Sequence, residues 1–105
     1  MLGNIQRIRR HVSGMDRDAF LRDEKTRDAV ERCLERIAEA ARKIGDHLDK
    51  SHPNVDLHKL RQFGSVLRHD YDLIEAEIIW RTVNNRLDRL EAMCEAEIAR
   101  RREKP

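Results

Sequence analysis

His69 and its neighbours are where chemistry would lie in this sequence. The stretch Gly64-Ser65-Val66-Leu67-Arg68-His69-Asp70-Tyr71 sets an imidazole beside a guanidinium, with a hydroxyl four residues earlier. Imidazole titrates near neutral pH, so it can take a proton from a ribose 2′-hydroxyl or give one to a leaving oxygen. Guanidinium can hold a phosphate and stabilise the charge that builds on its oxygens. Together these groups suit cleavage of a phosphodiester. Taken alone the pattern is weak, because a histidine next to an arginine on a helix is most often a plain solvated pair.

A helix must position these residues. Leu57, Leu60, Phe63/Gly64, Leu67 and Tyr71 recur at steps of three and four, which predicts a helix with one apolar stripe. Asp56 is placed to cap its start. At about 100° per residue, His69 falls about 180° from the centre of that stripe, near Ser65, His58, Arg61 and Asp72. His69 is thus expected on an open polar face. Arg68 points about 100° away from it around the helix. Arg61 lies about 12 Å up the helix axis. Tyr71 is expected at the packed edge, with its hydroxyl at the rim.

Four further helical segments and a loop complete the chain. Leu2, Ile5, Ile8 and Val12 predict a first helix from residue 2 to about 13, which Gly14 can end. Asp16 is a plausible cap for a short turn through Ala19, Phe20 and Leu21. A long helix is predicted from about 24 to about 49, with the stripe Val30, Cys33/Leu34, Ile37, Ala40/Ala41, Ile44 and Leu48. Its opposite face carries Glu31, Arg32, Glu35, Arg36, Glu39, Arg42 and Lys43. The stretch 50–54 reads as a loop, because Pro53 disfavours helix at the residue before it. Asp72 and Glu75 form a capping-box pattern that opens a last helix. Its stripe is Ile79/Trp80, Val83, Leu87, Leu90, Cys94 and Ile98, and it frays into Arg100-Arg101-Arg102. The fold class is therefore all-α: an up-and-down bundle of four to five helices, one domain over residues 1–105.

Composition narrows the function. Charged residues are 40% of the 105, with only 4 glycines and 2 prolines, which favours salt-laced helices over turn-rich sheets. The net charge is +2, so any contact with RNA has to be local rather than a property of the whole surface. No signal-peptide core and no membrane-length apolar run is present, so a cytoplasmic protein is expected. Cys33 and Cys94 on apolar stripes read as buried reduced thiols. The histidines show no metal-ligand spacing and no phosphate loop or nucleotide fingerprint occurs, so neither metal nor cofactor is expected. Trp80 reads as core or interface rather than a base-stacking platform. A chain this short buries only about two-thirds of its unfolded surface, a modest core that a second copy often completes.

Five segments in order carry a resemblance. Phe20 through Val30, Ile37-Ala38-Glu39-Ala40-Ala41, His52-Pro53, Val66 through Asp72, and Ile78 through Val83 together resemble the HepT-like proteins, a branch of the HEPN superfamily. The resemblance covers nearly the whole chain. It implies a helical homodimer that is the toxin of a type VII toxin–antitoxin pair. It also implies a metal-independent endoribonuclease whose active site lies in the dimer cleft. The implied antitoxin is a small MntA-like nucleotidyltransferase, which adenylylates the tyrosine two residues after the motif histidine. Here that tyrosine is Tyr71.

The sequence departs from the family pattern at one position. The pattern sets an arginine and then a polar residue ahead of the histidine, and Gly64-Ser65 stand there. Losing such a donor typically costs about 2.7–4 kcal/mol of transition-state stabilisation, by analogy with an oxyanion-hole donor. Arg68 and Arg61 are candidate substitutes, and Ser65 could hydrogen-bond to His69 or to a phosphate. Two readings stay open: an endoribonuclease with His69, Arg68, Ser65 and Arg61 as its site, or a binding module that only partners and is modified by the nucleotidyltransferase.

Overall fold

The computed structural model describes residues 1–69 and 76–103, without the side chains of Arg68, His69 and Glu103. Helix α1 spans Leu2–Val12, α2 Arg17–Arg22, α3 Glu24–Ile44, α4 Leu57–His69 and α5 Ala76–Glu103. A 3-10 turn, Pro53–Val55, precedes α4. The all-α bundle expected from the periodicity is what forms. No described helix is long and apolar enough to cross a membrane.

Local chemistry sets the boundaries. Ala19 N–H donates to Asp16 Oδ1 at 2.8 Å, so Asp16 caps α2 as the sequence predicts. Asp23 caps α3 by accepting from both the backbone N–H and the hydroxyl of Thr26, at 3.1 and 2.8 Å. Helix α3 stops at Ile44, short of the predicted 49, because Gly45 adopts φ +79. Glycine takes up that left-handed backbone at no steric cost, so it ends a helix whose apolar stripe would otherwise continue. Asp56 also adopts a left-handed conformation and accepts from Lys59 N–H at 3.3 Å, capping α4. The capping box at Asp72 and Glu75 lies outside the described residues.

Helix α3 packs against both α1 and α4, while α5 runs along α1, α2 and the 3-10 turn. The core is Ile5 and Ile8 of α1, Phe20 of α2, the α3 stripe from Val30 to Ala41, Leu57, Leu60 and Leu67 of α4, and Ile79, Val83, Leu87, Leu90 and Met93 of α5. Helix α5 departs from its predicted stripe beyond Leu90. Met93 is buried there, Cys94 is half-buried and Ile98 is 40% exposed. The bundle covers the flank that Met93 occupies, so the predicted burial of Cys94 is only partial. Cys33 is buried, and both thiols are free. Burial pushes the thiol pKa of each one up.

Trp80 packs on Phe20, with ring centroids 5.1 Å apart and planes tilted by 33°. This agrees with its reading as a packing residue. Ion pairs tie the short N-terminal helices to α5: Arg9 to Asp88 at 2.8 Å and to Glu91 at 3.3 Å, and Arg17 to Glu77 at 3.0 Å.

Phe20 is fully buried and carries α2's hold on α5. Phe20→Ala is expected to lower unfolding stability by about 3–5 kcal/mol, the usual cost of an aromatic cavity. Urea denaturation measures it, and a loss under about 1 kcal/mol would mean that α2 contributes little to the core.

Candidate active site

The site is built on the C-terminal half of α4. Leu57, Leu60, Gly64 and Leu67 are its buried positions, at steps of three and four. That spacing fixes the rotation of the helix against α3. Ser65 and Val66 face outward and are exposed. Helix α4 stays regular through His69, so positions 65 and 69 lie one turn apart along it. His69 is the last residue of the helix, with Arg68 just before it. The orientation of both side chains, and the whole of Asp70, Tyr71 and Asp72, lie outside the described residues.

Gly64, standing where the family pattern has arginine, is buried on the packed side of α4. No guanidinium is available from that position.

Arg61 is committed elsewhere. One terminal nitrogen (Nη1) donates to the carbonyl of Gly45 at 3.0 Å and to Asp49 Oδ1 at 3.3 Å; the other, Nη2, donates to Asp49 Oδ2 at 2.6 Å. This fork holds the end of α3 against the second turn of α4. The Arg61 side chain is only 19% exposed. The structure therefore joins Arg61 to the α3–α4 connection, whereas Ser65 stays open on the turn next to His69. Asp49 carries no signal for this role in the sequence, where the apolar periodicity predicts that α3 runs on to it. Only the stop at Gly45 turns it toward Arg61.

A second tie pins the approach to α4. His52 Nε2 lies 3.3 Å from Glu97 Oε2 on α5, both side chains nearly covered, and Arg100 donates to the other oxygen of Glu97 at 2.8 Å. The hydrogen bond with His52, chiefly, holds the Glu97 carboxyl below the usual glutamate range. Two side-chain ties thus fix the start of the motif helix, one to α3 and one to α5. Among the described residues, no group of three or more His, Cys, Asp or Glu side chains is placed to hold a metal ion.

A family profile described as ribonuclease HepT-like matches residues 1–97. The chain belongs to the HepT-like family. Among curated relatives, a Methanocaldococcus jannaschii protein named "Putative RNase MJ0127" is 34% identical over 87 residues, covering 83% of this chain and 72% of that protein. A Thermococcus cleftensis protein named "Probable ribonuclease HepT" is 32% identical over 76 residues, covering 72% and 69%. No solved structure matches the chain. The alignments reach across the bundle, so the HepT-like identity rests on the whole helical frame and not on the motif segment alone.

The Arg61–Asp49 pair has a pH signature. The hydrogen bonds from Arg61 hold the Asp49 carboxyl below the usual aspartate range. A carboxyl depressed on folding contributes stability above its unfolded pKa, near 4, and loses it as pH falls through the lower folded value. Wild type should therefore exceed Asp49→Asn in urea midpoint by the same margin from pH 5 to 8, and the margin should close toward pH 3. A margin unchanged at pH 3 would show that the charge of Asp49 is not what holds the connection.

Proposed function

We propose that this HepT-like chain is a metal-independent endoribonuclease, working as a cytoplasmic homodimer and as the toxin of a toxin–antitoxin pair. The observation that carries the proposal is His69 at the end of α4, one turn from the open Ser65, in a chain of the ribonuclease HepT-like family. His69 takes the proton of a ribose 2′-hydroxyl. The 2′-oxygen attacks the adjacent phosphorus, and the bond from phosphorus to the 5′-oxygen breaks. The products are a 2′,3′-cyclic phosphate and a 5′-hydroxyl that takes up a proton. Arg68 is the guanidinium assigned to the phosphate, with Ser65 as a hydrogen-bond donor. Arg61, bound to Asp49 and Gly45, acts by fixing the helix on which these groups stand.

Two exposed apolar residues support dimerisation at this end of the bundle. Val66 on α4 is 40% exposed and Ile78 near the start of α5 is 43% exposed, one on each side of the motif segment. A second copy covering them would bring two motif segments into one cleft, and the site would draw groups from both chains. Tyr71 is then the residue that an MntA-like nucleotidyltransferase adenylylates. The added phosphodiester would put a negative charge and bulk beside the phosphate site.

The burial of Gly64 favours a second reading. Without the family's arginine, the chain would serve only as partner and substrate of the nucleotidyltransferase.

RNA cleavage in the presence of EDTA separates the two. Wild type is expected to cleave, and His69→Ala to be slower by about 100-fold or more, the usual share of a general acid–base. Equal activity in both proteins, or none in either, would refute the catalytic reading. Transfer of adenylyl groups to wild type but not to Tyr71→Phe, with no cleavage, would establish the binding module instead.

A further inference from the structure

The face of the bundle formed by α1 and α3 carries guanidinium groups for which the described residues supply no ion-pair partner. The first fifteen residues contain Arg7, Arg9, Arg10 and His11 and no acidic residue. Among the described residues, Arg9 is the one of these arginines with carboxylate partners, Asp88 and Glu91 of α5. Arg7 and Arg10 are exposed, one turn apart on α1. Helix α1 packs on α3, and α3 presents the exposed Arg36. The acids on that part of α3 are already engaged: Glu35 by Arg32 at 3.4 Å and Glu39 by Arg42 at 2.6 Å. Among the described residues, no carboxylate comes within ion-pair distance of Arg7, Arg10 or Arg36. The helices that carry them pack together, with Cys33 of α3 buried in the core.

Such a cluster has a cost. Like charges held together repel one another, and the fold gains nothing from them in ion pairs. A bound polyanion would remove that cost. Arginine suits phosphate through its planar fork of donors. The same face suits a protein partner poorly. The shallow groove beside Arg36 is lined by Arg32, Glu35, Glu39, Lys43 and, as its one apolar residue, Ala40. It offers no buried aromatic or aliphatic pocket of the kind that anchors protein interfaces.

We propose that Arg7, Arg10 and Arg36 form a phosphate-binding face that holds single-stranded RNA outside the catalytic site. The inference rests on the ribonuclease reading for the identity of the polyanion. The overall charge of +2 is no obstacle, because the local balance on α1 is wholly positive and the two acids on α3 beside Arg36, Glu35 and Glu39, are already paired with Arg32 and Arg42. RNA held here is anchored at a distance from position 69, which stands at the end of α4 on another flank of α3. The face therefore governs how tightly substrate is held and leaves the chemical step alone.

The test uses the full chain with His69→Ala to prevent cleavage, and a fluorescein-labelled 20-nucleotide poly(U) as probe. Affinity is read by anisotropy across a series of KCl concentrations. Neutralising a phosphate contact on a single strand lowers the slope of log affinity against log salt by about 0.7. The added triple change Arg7→Gln, Arg10→Gln, Arg36→Gln is expected to flatten that slope by about 2 and to weaken binding about 100-fold at 0.1 M salt. A control with Arg86→Gln, Arg89→Gln and Arg101→Gln makes the same change in net charge elsewhere, and should stay within about threefold of the parent on that scale. The three single changes, each about 0.7 in slope, serve if the triple variant melts early. An unchanged slope in the triple variant overturns the proposal. So does an equal loss in the control, which would make the effect one of net charge alone. Unchanged RNA binding with lost binding of the adenylylating enzyme would assign the face to a protein instead, and also overturns it.

Cleavage with His69 intact keeps this inference separate from the ribonuclease reading. In an active enzyme the triple variant should raise KM about 100-fold with kcat unchanged. Active enzyme with KM unaltered refutes the face and leaves the ribonuclease reading standing. An inactive wild type whose RNA binding collapses in the triple variant refutes the ribonuclease reading and leaves the face standing.

Discussion

Helix α3 is the surface on which the rest of the molecule is assembled. Its stripe of Val30, Cys33, Leu34, Ile37, Ala38 and Ala41 is almost entirely removed from water, and both α1 and α4 lie against it. The stripe mixes large residues with two small ones, Ala38 and Ala41, all of them buried. A chain of 105 residues has apolar side chains for one core only, and here they are gathered along one central helix. The length of α3 is therefore a structural variable, and Gly45 sets it. By turning left-handed at φ +79 it releases residues 45–56 to cross to the next helix.

That crossing is the least covered part of the route to the candidate site, and it is held by polar ties. Arg61 reaches from α4 to Asp49 and to the carbonyl of Gly45, and His52 reaches to Glu97. A carbonyl at the end of a helix has no intrahelical partner, so the Gly45 contact also satisfies a group that the end of α3 leaves open. The Arg61 fork is bidentate and half-covered, which makes it worth more than an ordinary surface pair. Once the start of α4 is fixed on two sides, its rotation follows from Leu57, Leu60 and Leu67. Ser65 then has no choice but to face outward.

Most of this frame is legible in the sequence, because it depends on local signals. Asp16 and Asp56 are caps in the structure as in the pattern, and the apolar stripes of α1, α3 and α4 are the buried faces. Reading fails where a distant neighbour decides. Gly45 is itself a local stop signal, but the apolar periodicity running on through Leu48 masks it, and glycine's backbone freedom wins there. On α5 the period allows either Met93 or Cys94 to point inward, and only the position of its neighbours selects Met93. Arg61 shows the same limit at the candidate site. On a helical wheel it is one more cation on the polar face near His69, and in three dimensions it is spent on Asp49. The charges that a helix uses for packing cannot be told from those it leaves open until the partner helix is in place.

The same distinction bears on Gly64. A glycine inside a helix costs about 1 kcal/mol relative to alanine. Gly64 lies in the buried row of α4, in line with Leu57, Leu60 and Leu67. Burying a charge is costly unless it is paired. The described core holds no polar or charged residue to pair with it. With glycine there, the described buried row of α4 carries no charge. On the proposed function, Arg68 or a second chain is assigned the guanidinium that position 64 does not supply. In the proposed ribonuclease, the guanidinium on the phosphate would therefore stand at the rim of the bundle rather than in the buried row.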